Sequence, residues 1–444
     1  MRFWKDKQNA EIFRLAFPNI VNNLSIPLVG IVDLALMGHL TSVKYLDAVA
    51  IGTLIFNFIY SGLSFLRMGT SGMTAQEYGA KNGKGIIQNL ARSLSVAMGL
   101  AFVLIILQKP IGWVSLSLLD SSPEIESLAK HYFDIRIFAA PATLGLYALS
   151  GWFIGMQNSK FPMYIALVVN LFNIAANSLF IFVFGMNSNG VALGTLIAQY
   201  GGFFFALFLF WKSYRKHLAF FSWNNLWDLK AFKRFFSINS DIFIRSICLI
   251  FALSYFTAQS AKISDHILAV NTILFQFFLV FSYFIDGFAY AAEAIVGKEI
   301  GRKNYKSLTQ TIQKLFLWGL IVSFPFTLFF LGGSGFFLSL LTNNKDIIEA
   351  SKPYVIWSSI VPLLTFAAFI WDGIFVGATA TKAMRNTLLI STFIIYLPAC
   401  YFLQPIFGNH GLWIALLLFM AARGIALSFY SKNHIFNPKF HDKI

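Results

Sequence analysis

Charge is scarce in this chain. Only 12% of its 444 residues are Asp, Glu, Lys or Arg, about half the ~25% of an average globular domain. Acids are scarcer than bases, 19 against 34. The two cysteines, Cys248 and Cys400, sit far apart in apolar runs. That excludes a disulfide framework and a zinc site. The seven histidines are scattered, and no D-D-x-x-D or H-x-x-E cluster occurs. A polytopic membrane enzyme would need such a constellation at the membrane surface. No polar stretch is long enough for a soluble domain. What is abundant is apolar: 57% hydrophobic residues, 51 of them Phe, and a mean hydropathy of +0.67. This composition excludes disorder and argues against a soluble enzyme. The charged start, Met1 to Lys7, precedes a long apolar run with no small-residue cleavage pattern. It reads as a retained N-terminus rather than a signal peptide.

A bilayer core about 30 Å thick takes ~20 helical residues to cross. Twelve runs qualify: 13–38, 47–72, 92–114, 132–155, 161–184, 190–211, 236–261, 267–293, 312–333, 354–378, 386–407 and 411–430. Barrel strands would alternate apolar and polar in ~10-residue pieces, which these do not. The expected fold is an all-α polytopic membrane protein of twelve transmembrane helices. With the N-terminus in the cytoplasm, 25 bases fall on inner segments and six on outer ones. Arg92, Arg385 and Arg423 are counted among the inner group. The positive-inside rule then places both termini inside. The net charge of +15 becomes topology rather than a sign of nucleic acid, and no nucleic-acid partner is expected.

The amphiphilic stretch 213–234 divides the spans six and six. The expected domains are a first lobe, 1–212, this cytoplasmic loop, and a second lobe, 235–444. Glu77-Tyr-Gly-Ala-Lys-Asn82 and Glu299-Ile-Gly-Arg-Lys-Asn304 lie 222 residues apart. At the same offset Phe153-Ile-Gly155 and Lys160 match Phe375-Val-Gly377 and Lys382. Alone, each piece reads equally as an ordinary turn. Together they predict a parallel repeat of two pseudo-symmetric six-helix lobes.

Ionised groups at mid-membrane cost about 2.5–3.5 kcal/mol on insertion scales, so each needs a reason. Asp241 and Arg245, four apart, are expected to pair on one helix. Arg67 and Arg136, near span ends, suit structural roles. Asp33 has no base in reach along its own helix, and a carboxyl so placed is poised to exchange a proton. Pro18 and Pro27 interrupt the same span, and Pro in a helix permits a hinge. Asn170, Asn173 and Asn177 share a helix face, with Thr195 in the next span. They read either as a cation or substrate site or as helix packing. Asp286, Glu293 and Asp372 are candidates for a second-lobe polar site, although Glu293 also suits a helix end.

Val32-Asp33-Leu-Ala-Leu-Met-Gly38-His39-Leu40 resembles the multidrug and toxic compound extrusion (MATE) family. So do Arg67-Met-Gly-Thr-Ser-Gly-Met-Thr-Ala-Gln76, Asp286-Gly-Phe-Ala-Tyr-Ala-Ala-Glu293 and Asp372-Gly-Ile-Phe-Val-Gly-Ala-Thr379. The combination is similar to the DinF-type branch and covers essentially the whole chain. The resemblance implies a V-shaped fold of two six-helix lobes. It implies a cation-coupled antiporter that exports organic, often cationic, compounds; the expected location is the bacterial inner membrane, where a two-lobe transporter can work as a monomer. It implies coupling at Asp33, bending at Pro18, and a neighbouring polar site of Tyr147, Asn173, Asn177 and Thr195. Several relatives carry Asp where this chain has Asn177. One carboxylate fewer favours H⁺ over Na⁺, which prefers charged oxygen ligands. No cofactor beyond the coupling ion is expected. A Na⁺-coupled antiporter and a flippase for a lipid-linked substrate are the alternatives. A flippase would carry several bases in its cavity.

Overall fold

The computed structural model describes residues 6–38, 42–118 and 121–437. Arg2, Lys5, His39, Leu40, Lys439, His441 and Lys443, which enter the motifs and charge counts above, lie outside the described residues. Among the described residues there is no strand, and twelve helices are long and apolar enough to span a bilayer. They are α1 Lys7–Met37, α2 Val43–Gly79, α3 Gly83–Ile106, α4 Pro123–Gly155, α5 Lys160–Val183 and α6 Ser188–Phe220. There follow α7 Leu229–Ile263, α8 Asp265–Gly301, α9 Tyr305–Gly332, α10 Lys345–Gly377, α11 Thr381–Phe407 and α12 Asn409–His434.

Most helices run past the apolar runs that reveal them, because their polar ends are bonded. The third departs at both ends: it starts at Gly83 rather than Arg92 and stops at Ile106 rather than Val114. The Asn82 side chain caps it, accepting from the Gly85 N–H at 3.1 Å. Arg92 is therefore not a loop charge. It is buried on α3 and donates to the carbonyls of Asn225 at 2.5 Å and Leu226 at 3.3 Å. Arg423 is likewise a buried residue of α12 and not an inner-segment charge.

The 222-residue repeat is written into the backbone. Among the described residues, four non-glycine positions have positive φ: Lys81, Gln157, Lys303 and Thr379. They form two pairs, each 222 apart. All four close a helix in the same way. The residue after each donates its N–H five residues back: Asn82 to Glu77, Asn158 to Phe153, Asn304 to Glu299 and Ala380 to Phe375, all at 2.9–3.0 Å. This is the Schellman arrangement, which satisfies the last carbonyls of a helix. The shared Lys-Asn pair supplies the left-handed residue and then the cap of the next helix. Asn304 repeats the Asn82 cap, accepting from the Ser307 N–H at 3.2 Å.

Helix packing repeats at the same offset. A methyl group on Gly151 of α4 would collide with the Arg67 carbonyl of α2, and one on Gly155 with the Ser71 carbonyl. Gly373 and Gly377 of α10 meet Ala289 and Glu293 of α8 in the same manner. Small residues four apart let backbones touch, the usual way to bind helices where water provides no hydrophobic drive.

By contacts the chain falls into two compact units, one being Val21–Phe235 and the other the chain up to Ile20 together with Phe236 onward. Helix α1 contributes to both. In the first unit Trp152 is fully buried among Phe153, Phe210 and Tyr214, and donates to the Ile86 carbonyl at 2.9 Å. In the second, the start of α1 is tethered by charge. Lys298 of α8 meets Glu11 at 2.6 Å, and Lys314 of α9 meets Asp6 at 2.5 Å. The Lys314 ammonium holds the Asp6 carboxyl below the usual carboxylate range.

Candidate functional site

In the Val21–Phe235 unit, a chain of hydrogen bonds links three helices. Asn177 of α5 donates from Nδ2 to Oδ1 of Asp33 at 3.0 Å and to Oδ1 of Asn173 at 3.2 Å. Asn173 donates to Oγ1 of Thr195 on α6 at 3.2 Å. Thr195 donates to the Val191 carbonyl one turn back at 3.0 Å. The donors diverge from Asn177: one bond ends on Asp33, which receives, and the others run through Asn173 and Thr195 to the Val191 carbonyl. Asn173, Asn177 and Thr195 are buried and Asp33 is half-buried. Spacings of four on α5 stack Asn173 beneath Asn177.

Gly194 makes room for this arrangement. A Cβ there would overlap the Asn177 side-chain oxygen. That oxygen is buried and accepts no hydrogen bond. The site therefore holds one carboxylate that accepts and one amide oxygen still able to. These bonds join four of the five expected residues. The fifth, Tyr147, is half-buried on α4. Asn170, one turn before Asn173, is half-buried and outside the bonded chain. Pro18 is buried and Pro27 half-buried, and α1 is helical through both.

Arg136 was not connected to Asp33 by the sequence. It stands on α4 within electrostatic reach of that carboxylate. Its guanidinium lies 5.3 Å from the Phe56 ring centre and 5.9 Å from that of Tyr132. Its Nε is buried without a hydrogen-bond partner. Distance in the chain hid it, because the helical periodicity of α1 says nothing about charges on α4.

The second unit arranges its charges differently from the expectation. Asp241 and Arg245 do not pair along α7. Asp241 accepts from Arg385 at 2.7 Å and from Thr381 at 3.1 Å, both on α11. Arg245 instead binds Asp372 of α10, and Arg423 of α12 binds the same carboxylate oxygen at 2.7 Å. All three are largely buried, with Arg423 only 1% exposed. Asp372 is thus the centre of a three-helix ionic clamp. Glu293, which could have marked a helix end, is buried on α8, and Asp286 is half-buried two turns before it. Among the described residues, no group of three His, Cys, Asp or Glu side chains is placed to hold a metal ion.

Residues 18–179 and 242–402 each match the MatE family model. The chain belongs to the MATE family. The two matched stretches are offset by nearly the repeat length, so each covers the body of one half. The MATE chain is 32% identical over 424 residues to DNA damage-inducible protein F of Escherichia coli K12, covering 95% of this chain and 92% of that one. It is 23% identical over 439 residues to a probable multidrug resistance protein NorM of Photorhabdus laumondii, covering 96% and 95%. Among solved structures it superposes on a MATE protein in a bent conformation with a TM-score of 0.89 at 17% identity, covering 99% of this chain and 98% of that chain. A MOP superfamily transporter of Pyrococcus furiosus gives 0.85 at 17%, covering 98% and 97%. At such identity the likeness shows the fold. The protein is a multi-pass membrane transporter and not an enzyme.

Proposed function

We propose that this MATE protein is a proton-coupled antiporter that exports organic, often cationic, compounds, with Asp33 as the group that carries the proton. The observation that carries the reading is a contrast between two buried carboxylates. Asp372 is neutralised by two guanidiniums on one oxygen. Asp33 receives its hydrogen bond from a neutral amide. A carboxylate without a fixed ion partner can change charge without breaking a salt bridge. Protonation turns Asp33 from acceptor into donor, and the Asn177 oxygen is the buried acceptor beside it. The bond between α1 and α5 can therefore persist in both charge states with its direction reversed.

The deprotonated state would hold a lipophilic cation, and the protonated state would release it. A ligand can shift the balance only if it binds the two states with different affinity. Here the negative charge on Asp33 supplies that difference. The donor set also favours H⁺ over Na⁺. It offers one carboxylate with amide and hydroxyl oxygens, whereas Na⁺ cages prefer more anionic oxygen. Helix α1 bears Asp33 and two prolines, so it is the element suited to bend between states. We place the protein in the bacterial inner membrane as a monomer, with both termini in the cytoplasm. That orientation rests on the bias of bases towards one side. A flippase reading gains no support from the mid-span arginines of the second unit, since Arg245 and Arg423 are engaged by Asp372. The test is efflux driven by an imposed pH gradient without sodium, compared between wild type and Asp33→Asn.

A further inference from the structure

The segment that joins α6 to α7 is held firmly and carries unusual chemistry. Its short helix, Trp223–Leu226, is pinned to α3. Arg92 binds the carbonyls of Asn225 and Leu226, and Gln88 donates to that of Ser222 at 2.7 Å. Leu226 is the buried anchor, only 3% exposed. Arg234 closes the far end by donating to Gln76 at 3.2 Å.

What this fixed segment turns outward is both aromatic and basic. Trp223, Trp227 and Leu229 are 70%, 66% and 82% exposed, and Phe220 is 56% exposed. Around them Lys212, Arg215, Lys216, Lys230 and Lys233 are all exposed. Among the described residues none of these five bases forms an ion pair with the protein. Lys212 leans on the Phe208 ring at 5.9 Å. The single acid of the segment is Asp228, whose Oδ1 accepts the Lys230 backbone N–H. A loop facing bulk water has no physical reason to show two tryptophans and a leucine on a face with unanswered positive charge.

We propose that residues 212–233 form a docking surface for anionic phospholipids, with the bases on the phosphate headgroups and the aromatic residues in the interfacial layer. Tryptophan favours that layer because its ring is apolar and its N–H polar. Clustered bases beside a spanning helix attract acidic headgroups. The segment is continuous with two spanning helices and bonded to the opening turns of a third, which sets it where helices leave the membrane. That position favours lipid over a soluble acidic protein. The pinning to α3 makes the surface preformed, so little ordering opposes binding. Nothing in this proposal depends on the transport reading.

The experiment is native mass spectrometry of the purified, delipidated full chain titrated with phosphatidylglycerol or with phosphatidylcholine. The wild type is expected to prefer phosphatidylglycerol by roughly tenfold or more, from several bases near the headgroups. Replacing all five bases with Gln should erase that preference while leaving phosphatidylcholine binding unchanged. Trp223→Ala with Trp227→Ala should weaken retention of both lipids and keep the preference. Asp228→Lys, which adds a base, should raise it, and this variant decides the matter if the five-fold substitution does not fold. Wild-type protein without a headgroup preference would overturn the proposal. So would a five-Gln variant that keeps the preference, or an Asp228→Lys variant that leaves it unchanged.

Discussion

Asn177 holds Asp33 at 3.0 Å from a position 144 residues further along the chain, and its own oxygen remains without a donor. This one contact ties α5 to α1 and gives the Asp33 carboxyl a neutral neighbour that can both donate and accept. Changes that move Asn177 should therefore disturb coupling before they disturb folding.

Gly194→Ala is the sharpest such change, since its new methyl group would overlap the Asn177 oxygen. Overpacking of this kind costs about 1–3 kcal/mol, which a twelve-helix protein can absorb. The expected outcome is a folded protein with a slightly lower thermal midpoint and a large loss of pH-gradient-driven efflux. Measuring both in one preparation checks it. Efflux equal to wild type would show that the position of Asn177 does not matter.

Asp372→Ala should behave in the opposite way. It strands two buried guanidiniums, and breaking a buried ion pair costs about 3–5 kcal/mol. Thermal unfolding in detergent should show a much lower midpoint than for Asp33→Asn. The fraction that folds should still respond to a pH gradient. Loss of coupling at unchanged stability would instead make Asp372 part of the transport chemistry.

Lys81→Gly should stabilise the protein. Lys81 sits at φ 55 in an exposed helix-closing turn. A side chain in the left-handed region costs about 1–2 kcal/mol, which glycine avoids at some cost in chain entropy. A rise in the unfolding midpoint corresponding to about 1 kcal/mol or less is expected. A fall would mean that the lysine side chain makes a contribution of its own.

The sequence revealed what depends on local pattern. Apolar runs located all twelve helices, because the bilayer imposes their length. The Glu-x-Gly-x-Lys-Asn repeat was visible because a helix stop followed by a cap is chemistry within six residues. The three-and-four spacing of Asn170, Asn173 and Asn177 exposed a shared polar face, although Asn170 stays outside the bonded chain. Contacts between distant helices were not legible. Asp241 was matched with Arg245 four residues away, whereas it binds Arg385, 144 residues on. Arg245 reaches Asp372 over 127 residues. Arg92 looked like a loop charge because its partners, two backbone carbonyls of the segment before α7, have no side-chain signature. Arg136 was missed within electrostatic reach of Asp33 for the same reason: influence across helices leaves no mark on either helix.

The central claim is that Asp33 carries the coupling proton. The most direct measurement is ethidium efflux from sodium-free proteoliposomes under an imposed pH gradient, with the amount of folded protein matched between variants. Wild-type protein should drive efflux that collapses when the gradient is dissipated, and Asp33→Asn should fall to the leak of protein-free vesicles. Gradient-driven efflux by Asp33→Asn at the wild-type rate would contradict the account.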